Sequence, residues 1–443
     1  MKKIALSLMA ALVAVGGMAQ INLGKDVNLK IYGQVRTDIF YNSRANTESV
    51  DGLFYSFPKD EVLDYNGNDI NGSPSSNMYA VYSRMGFDFA GPMIGKAKTS
   101  AKIEFDFRGN GNDNLSALRL RHAYFNFDWG KSKVLVGQTL HPFFGEVSPQ
   151  ILNLNTGSPF QPFGRAPQIR YRYNSGAWQL QAAAVWQSQF KSHGPTADDG
   201  TGKGNARTQY PHKNSNIPEL ALGIDYKANG WIVGLGVDLL SITPRTKSTV
   251  KDLFVNTPDA TTTYKVSERL TTVSYEAHLK YQKDKWFVAA KSVLGSNFTH
   301  TSMLGGYGIK SESDKTGERE YTPFRNSSNW INIVYGKKWK PGIFLGYIKN
   351  LGTADDMMNE GTSEIPQYGK TFYGSGKDTN TGRFIDKLMT GTFELTYNVP
   401  HWKIGAEYNY TEAHYGTTQK DGKVKNTHSV GNNRLVLSVT YSF

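Results

Sequence analysis

Residues that alternate between apolar and polar recur along this chain, and this pattern constrains the fold more than any other feature. In residues 29–41 the odd-numbered positions are Leu, Ile, Gly, Val, Thr, Ile and Tyr, whereas the even-numbered ones are Lys, Tyr, Gln, Arg, Asp and Phe. The C-terminal run RLVLSVTYSF repeats the alternation. Because side chains along a strand point to opposite faces in turn, the chain is predicted to be all-β.

The N-terminal run MKKIALSLMAALVAVGGMA has the form of a secretory signal, with two lysines, an apolar stretch and small residues before a cut after Ala19. Beyond it the chain has no Cys and no apolar run long enough for a spanning helix. Only helices and closed barrels satisfy their own backbone hydrogen bonds in lipid. We therefore expect residues 1–19 to be a signal peptide and residues 20–443 to form a single transmembrane β-barrel domain.

Short turns containing Gly, Asn, Asp or Pro join many of the alternating segments, and a Trp follows five of them within a few residues: Trp178, Trp231, Trp286, Trp339 and Trp402. Repeated Trp beside short turns is typical of the aromatic girdle at a membrane interface. The segments number sixteen, from 29–41 to 433–443, with seven short turns and eight longer connections. This predicts an antiparallel 16-stranded barrel with its longer connections outside the cell and its termini in the periplasm.

The third long connection, residues 140–167, reads LHPFFGEVSPQILNLNTGSPFQPFGRAP. It has neither the two-residue period of a strand nor the 3.6-residue period of a helix. A structureless insert of this length in an ordered domain tends to be functional. We expect this third external loop to fold into the barrel lumen and to narrow the pore. The alternative is an ordinary surface loop.

Three stretches resemble a Gram-negative porin: SRMGFDF at 83–89, RHAYFNF at 121–127, and GQTLHPFF at 137–144 with RAPQIRYRY at 165–173. The pair that brackets the loop resembles the DcaP-like porin family. The resemblance implies an outer-membrane location, a homotrimer and uptake of small anionic dicarboxylates.

Charged groups that face each other across a constriction select the solute. Strand parity places Arg36, Arg84, Lys102, Arg170 and Arg172 inward, with Asp38, Glu104 and Asp106 as counter-charges. Arg119 and Arg121 share a face with Phe125 and Phe127, so parity allows either orientation. Because an arginine on the lipid face costs about 2–4 kcal/mol, we expect both arginines inward, with the two Phe side chains filling space under the loop.

The predicted pore-lining set also includes Glu146 and Arg165 of the loop, and comprises Arg36, Arg84, Lys102, Glu104, Arg119, Arg121, Glu146, Arg165, Arg170 and Arg172. A basic wall of guanidinium groups suits carboxylate solutes. The alternative is that these arginines only neutralise carboxylates in the lumen and hold the loop down.

The formal net charge is +12, but the cations form no basic run, so we expect small anions as partners and no nucleic acid. Nine His residues lack metal-binding spacing, so no metal and no cofactor are predicted. The other expected partners are outer-membrane lipid and lipopolysaccharide, and the barrel-assembly machinery, which reads the alternating C-terminal strand that ends at Phe443.

The pattern therefore favours a passive porin in the outer membrane, with no enzyme activity. Two alternatives remain open. One is a structural or adhesive barrel whose long loops bind a host or a phage, and the other is a barrel enzyme.

Overall fold

A computed structural model describes residues 20–24, 26–109, 111–197, 204–251 and 261–443, so the predicted signal peptide lies outside the described residues. The strands are β1 (Gln20–Gly24), β2 (Val27–Asn42), β3 (Asn46–Ser49), β4 (Phe54–Pro58), β5 (Ser75–Tyr79), β6 (Arg84–Ala90), β7 (Lys98–Asp106), β8 (Arg119–Asp128), β9 (Ser132–Leu140), β10 (Arg165–Ser175), β11 (Trp178–Val185), β12 (His193–Gly194), β13 (Ala206–Arg207), β14 (Glu219–Ala228), β15 (Trp231–Ile242), β16 (Lys247–Lys251), β17 (Thr261–Lys265), β18 (Leu270–Lys283), β19 (Trp286–Ser296), β20 (Gly305–Glu312), β21 (Arg319–Tyr335), β22 (Trp339–Thr353), β23 (Phe372–Ser375), β24 (Phe384–Val399), β25 (Trp402–Thr418) and β26 (Val424–Ser442).

Helical structure is sparse in the described part of the chain. One short α-helix, α1 (Tyr210–Ser215), and three 3-10 turns, Ile70–Gly72, Asn112–Asn114 and Thr299–Thr301, lie in the connections between strands. None of the described helices has the length and apolar composition needed to cross a membrane.

Among the described residues, sixteen strands pair with their neighbours in an antiparallel ring. The ring runs β2, β6, β7, β8, β9, β10, β11, β14, β15, β18, β19, β21, β22, β24, β25 and β26, and it closes because β26 pairs with β2. The closing seam extends from the pair Gln34 and Ser442 to the pair Asn42 and Arg434. The predicted 16-stranded barrel is confirmed, and closure leaves no open edge on the ring.

The barrel strands present apolar side chains to the outside, as the alternation predicts. In β26, Leu435, Leu437 and Val439 are exposed, whereas Arg434, Val436 and Ser438 on the opposite face are buried. A face of exposed Leu and Val is stable only against lipid, so the outer surface is suited to a bilayer.

The five predicted Trp residues begin five barrel strands at one end of the molecule. Each packs against a Tyr of the neighbouring strand with ring centroids 4.7–5.1 Å apart: Trp178 with Tyr226, Trp231 with Tyr281, Trp286 with Tyr335, Trp339 with Tyr397, and Trp402 with Tyr441. All ten rings are partly exposed, so they form the aromatic band expected at one membrane interface.

Several strands differ in length from the prediction. β21, β24 and β26 begin at Arg319, Phe384 and Val424, before the predicted 328, 388 and 433. These extensions lack apolar alternation because they project beyond the lipid-facing band. The segment predicted as 78–90 is interrupted at residues 80–83, which separate β5 from β6.

Candidate pore site

The side chain of Tyr82, in the interruption between β5 and β6, is the centre of an arginine cluster. Three guanidinium groups lie over its ring, with the Cζ atoms of Arg84, Arg121 and Arg36 at 4.8, 5.3 and 5.4 Å from the ring centroid. Tyr82 is buried. Cations over an aromatic face are attracted by its quadrupole, so the ring lets like charges gather in a small volume.

Carboxylates from neighbouring strands neutralise part of this cluster. Arg119 contacts Asp106 through two hydrogen bonds of 2.9 and 2.6 Å, and Arg121 bridges Glu104 at 2.5 Å and Asp106 at 2.8 Å. Arg36 contacts Asp38 at 2.7 Å. These three arginines are therefore engaged in ion pairs with nearby carboxylates.

A β-bulge accounts for the orientation of Arg119 and Arg121. His122 pairs with Glu104 and Leu120 pairs with Phe105, so Arg121 is an extra residue in β8. The extra residue shifts the alternation by one position. Phe125 is consequently 60% exposed on the outer face, and the expectation that it fills space under the loop is wrong.

Three arginines of the cluster keep part of their hydrogen-bonding capacity unused. The Nε atoms of Arg84, Arg108 and Arg165 are buried and have no hydrogen-bond partner among the described residues. Arg84 lies 3.8 Å from the nearest oxygen of Glu104, which it shares with Arg121. Burial, together with repulsion from Arg119, lowers the pKa of Arg108 below its usual value. The site would thus be stabilised by an added negative charge.

A cavity of about 660 Å³ adjoins the cluster, with Arg119 among its lining residues. Its cationic lining consists of Arg108, Arg119, Lys191 and Arg207, and Glu48 is the one acid among the lining residues. The aromatic rings of Phe54, Phe57 and Phe190 also line it. A cavity of this size and lining fits a small organic anion.

Residues 140–167 contact inward side chains of strands far from β9 and β10. Glu407 of β25 accepts hydrogen bonds from the amides of Leu152 and Asn153 at 2.6 and 3.1 Å, and Arg36 of β2 donates to the Leu152 carbonyl at 2.6 Å. Asn332 of β21 accepts from the amide of Gln150 at 2.7 Å.

Apolar contacts continue along the same side of the segment. Phe160 packs edge-on against Phe344 of β22 with ring centroids 6.3 Å apart. Trp330 of β21 donates its indole hydrogen to Gln161 at 2.8 Å. Strands β21, β22 and β25 thus hold the segment through both polar and apolar contacts.

Other predicted residues form a second group, away from Tyr82. Glu146 contacts Lys227 at 2.8 Å and lies 3.8 Å from Arg172. Although burial favours the neutral acid, the hydrogen bond from Lys227 holds the pKa of Glu146 below its usual range. Arg170 donates to the Leu140 carbonyl at 2.6 Å, and so supports the start of the segment.

Lys102 pairs with Asp88 at 3.0 Å and donates to the hydroxyl of Tyr32. The hydroxyl of Tyr32 in turn donates to Glu104 at 2.8 Å. Lys102 is therefore linked to the arginine cluster through Tyr32 and Glu104.

The sequence interpretation omitted Tyr82, Arg108 and Glu407. Arg108 has the same strand parity as Asp106, so a signal existed for it. Tyr82 has the same parity as Arg84, but its role and that of Glu407 depend on neighbours that are distant in sequence.

Comparisons with known proteins agree with this geometry. The family model described as DcaP outer membrane protein matches residues 20–215. No curated protein matches the sequence.

Solved structures share the fold at low identity. The outer membrane channel DcaP of Acinetobacter baumannii is 19% identical with a TM-score of 0.63, over 96% of this chain and 100% of that one. OmpT of Vibrio cholerae is 13% identical with a TM-score of 0.52, over 96% and 100%. A trimer form of in-vitro folded OmpT is 12% identical with a TM-score of 0.50, over 95% and 100%. The chain has the fold of outer-membrane porins.

Proposed function

Because this chain resembles the DcaP outer membrane proteins and is an outer-membrane barrel with the porin fold, we propose that it forms a passive channel for small hydrophilic solutes and favours anions such as dicarboxylates. A barrel that is closed and lipid-facing on its outside provides a polar route only through its lumen. Selectivity then depends on the charges along that route.

The unpartnered guanidinium atoms of Arg84, Arg108 and Arg165 support the anion preference most directly. With Arg36, Arg119 and Arg121, these arginines outnumber the neighbouring carboxylates of Asp38, Glu104 and Asp106 by three. A guanidinium presents donors in a planar fork that matches a carboxylate. A dicarboxylate could therefore be held by two arginines at once while it passes.

The constriction itself is part of the proposal. Segment 140–167 is joined to β2, β21 and β25 by the hydrogen bonds of Leu152, Asn153 and Gln150. These contacts support a path across the lumen that narrows the pore beside the arginine cluster.

Single-channel recording of the purified protein in a planar bilayer under a KCl gradient tests the function. We expect stepwise openings, a reversal potential of the sign that anion flow produces, and flicker when succinate is added. In the double variant Arg84→Gln and Arg108→Gln the reversal potential should move toward zero. The variant Lys131→Gln, which removes one charge from an exposed short turn, should behave like the wild type.

A reversal potential that the double variant leaves unchanged would overturn the anion assignment. A barrel that stays silent at all voltages would favour the alternatives of an adhesive barrel or a barrel enzyme. The fold and the family-model match favour a channel over an enzyme.

The partners follow from the same proposal. Lipid and lipopolysaccharide would surround the outer face, the barrel-assembly machinery would read the strand that ends at Phe443, and small anions would be the solutes. A homotrimer is proposed because the trimer form of OmpT has the same fold.

A further inference from the structure

Three buried side chains far apart in sequence converge outside the arginine cluster. The Nε2 atoms of His141 and His300 each lie 2.7 Å from the same oxygen of Glu219. One ligand atom from each residue lies within 4.8 Å of the other two. All three side chains are almost completely shielded from solvent, with exposures of 2%, 4% and 0% for His141, His300 and Glu219.

Two further groups border this cluster. Asp238 of β15 lies 3.8 Å from His141 Nε2 and is 1% exposed. His212 of α1 is buried and near enough to interact electrostatically with Glu219 and His300. The sequence interpretation expected no metal site because the histidines lack paired spacing, and here they meet only through the fold.

Several polar atoms of this cluster are left without a hydrogen-bond partner among the described residues. They are Nε2 of His212 and Nδ1 of His300, together with Oε2 of Glu219 and both carboxylate oxygens of Asp238, which have no partner other than each other. Buried polar groups are normally paired, so unpaired oxygens and nitrogens gathered in one place indicate a missing partner.

The charges of the cluster point to a cation as that partner. Among the described residues, the ion-pair partners of Glu219 and Asp238 within 4 Å are histidines, and no Lys or Arg is among them. Phe143, Phe298 and Met303 form an apolar cluster beside the site, and the rings of Phe143 and Phe298 lie 5.9 and 5.8 Å from that of His141. Two carboxylates in such surroundings are costly unless positive charge balances them.

We propose that His141, His300, Glu219 and Asp238 bind one divalent transition-metal ion of the Zn²⁺ class. Two imidazole nitrogens with two carboxylate oxygens are a common donor set for zinc, whereas Ca²⁺ and Mg²⁺ prefer oxygen ligands throughout. The two positive charges of the ion balance the two carboxylates.

The geometry requires only small movements. Ligand atoms of a tetrahedral zinc site lie about 3.4 Å apart, given metal–ligand bonds of about 2.1 Å. The contacts of 2.7 Å to Glu219 would open and the 3.8 Å contact to Asp238 would close. Binding also moves the His141 proton to Nδ1, so the amide of Phe143 must give up its 3.2 Å contact with that atom.

The ion would join four separate elements. His141 follows β9 at the start of segment 140–167, His300 lies in the connection after β19, and Glu219 and Asp238 belong to β14 and β15. A metal at this point would fix the root of the segment to the barrel wall. The inference does not depend on which solute passes through the channel.

Metal analysis of the purified full chain, stripped with a chelator and then reloaded, tests the proposal. We expect one Zn²⁺ per chain after reloading with ZnCl₂ and a higher midpoint of thermal unfolding. Reloading with MgCl₂ should leave no bound Mg²⁺ and should not raise the midpoint of thermal unfolding. Wild-type protein reloaded with Co²⁺ should show the intense visible absorption of a tetrahedral site, and this readout requires no variant to fold.

Matched variants locate the site. His300→Ala and Glu219→Gln should lose the bound Zn²⁺ and the thermal shift. His278→Ala is the control, because His278 also contacts two carboxylates, Asp225 at 3.1 Å and Glu276 at 3.5 Å, but lies outside the cluster. Wild-type protein that neither retains Zn²⁺ nor gives the Co²⁺ spectrum would overturn the proposal and leave a network held by protons. Equal stabilisation by Mg²⁺ would overturn the assigned class of metal.

Discussion

Glu48 is the acid whose charge opposes the cations of the 660 Å³ cavity. Glu48 lines the cavity, and burial raises the pKa of its carboxyl group above the ordinary value. The positive charge of Arg434 opposes this rise, and the negative charge of Asp51 adds to it. Protonation therefore begins at a higher pH than for an ordinary glutamate. Each Glu48 that is protonated leaves the cavity more positive.

We predict that lowering the pH through the raised pKa of Glu48 increases the anion-to-cation permeability ratio. A unit charge at about 8 Å in water is worth about 0.5 kcal/mol, which corresponds to about a two-fold change. Reversal potentials measured from neutral to acidic pH should show this increase in the permeability ratio as a single step. Glu48→Gln should give the high ratio throughout, and Glu364→Gln, in an exposed loop, should keep the step. A step that persists in Glu48→Gln would exclude Glu48 as its source.

Glu407 determines where segment 140–167 is held. It is buried and accepts the amide hydrogens of both Leu152 and Asn153. Hydrogen bonds to a charged group are worth about 1.5–3 kcal/mol each. Loss of the carboxylate should therefore release the middle of the segment from β25.

We predict that Glu407→Ala raises the single-channel conductance and the current noise while the barrel still folds. Glu412→Ala removes a carboxylate from the same strand whose side-chain partners, Tyr410 and His414, are also in that strand. This control should conduct like the wild type. Identical conductance in Glu407→Ala would contradict the anchoring role.

Single residues show where prediction from sequence reaches its limit. Parity predicts that Arg36 and Arg84 face inward, and both guanidinium groups lie over the ring of the buried Tyr82. Parity failed for Phe125, because a single extra residue at Arg121 reverses the alternation and leaves no mark in composition. The meeting of His141, Glu219 and His300 depends on the barrel closing, so spacing along the chain could not reveal it.

At the scale of strands, the alternation predicted the number and order of the barrel strands well. Lipid on one face and polar surroundings on the other impose this alternation over the length that spans the membrane. The alternation did not predict the early starts of β21 and β24, because lipid does not contact the outer ends of these strands. The seam between β2 and β26 could be anticipated from the two terminal patterns. Its detailed packing could not.

Gly33 of β2 lies at the closing seam between β2 and β26, where a larger side chain does not fit. Its amide and carbonyl exchange hydrogen bonds of 3.0 Å with Phe443. A Cβ atom at this position would lie 2.6 Å from the Arg84 carbonyl oxygen and 2.6 Å from the Phe443 ring. Real Cβ atoms do not approach backbone so closely, so any larger residue must displace a neighbouring strand.

We predict that Gly33→Ala destabilises the barrel by about 1–3 kcal/mol, the range for overpacking. Gly391→Ala is the matched control, because its added Cβ meets only the Leu345 side chain at 3.8 Å. Thermal unfolding followed by the shift in gel mobility between folded and unfolded barrel measures both. Equal midpoints for the two variants would show that the seam tolerates a side chain at Gly33.

For the whole molecule, the five Trp–Tyr pairs set the depth of the barrel in the bilayer. Their rings are amphipathic and favour the headgroup level. They lie at the ends of strands where short turns follow or precede, so one membrane boundary is fixed at that end. The height of segment 140–167 relative to the bilayer follows from this boundary.

We predict that quenchers attached near the lipid headgroups reduce Trp fluorescence more than quenchers at the bilayer centre. Trp330 is buried and donates a hydrogen bond to Gln161, so neither kind of lipid quencher should reach it. Trp330→Phe should therefore raise the fraction of emission that can be quenched without changing the depth dependence. Stronger quenching from the bilayer centre would mean that the Trp band lies within the hydrocarbon. The barrel would then sit displaced along the membrane normal, and the arginine cluster with it.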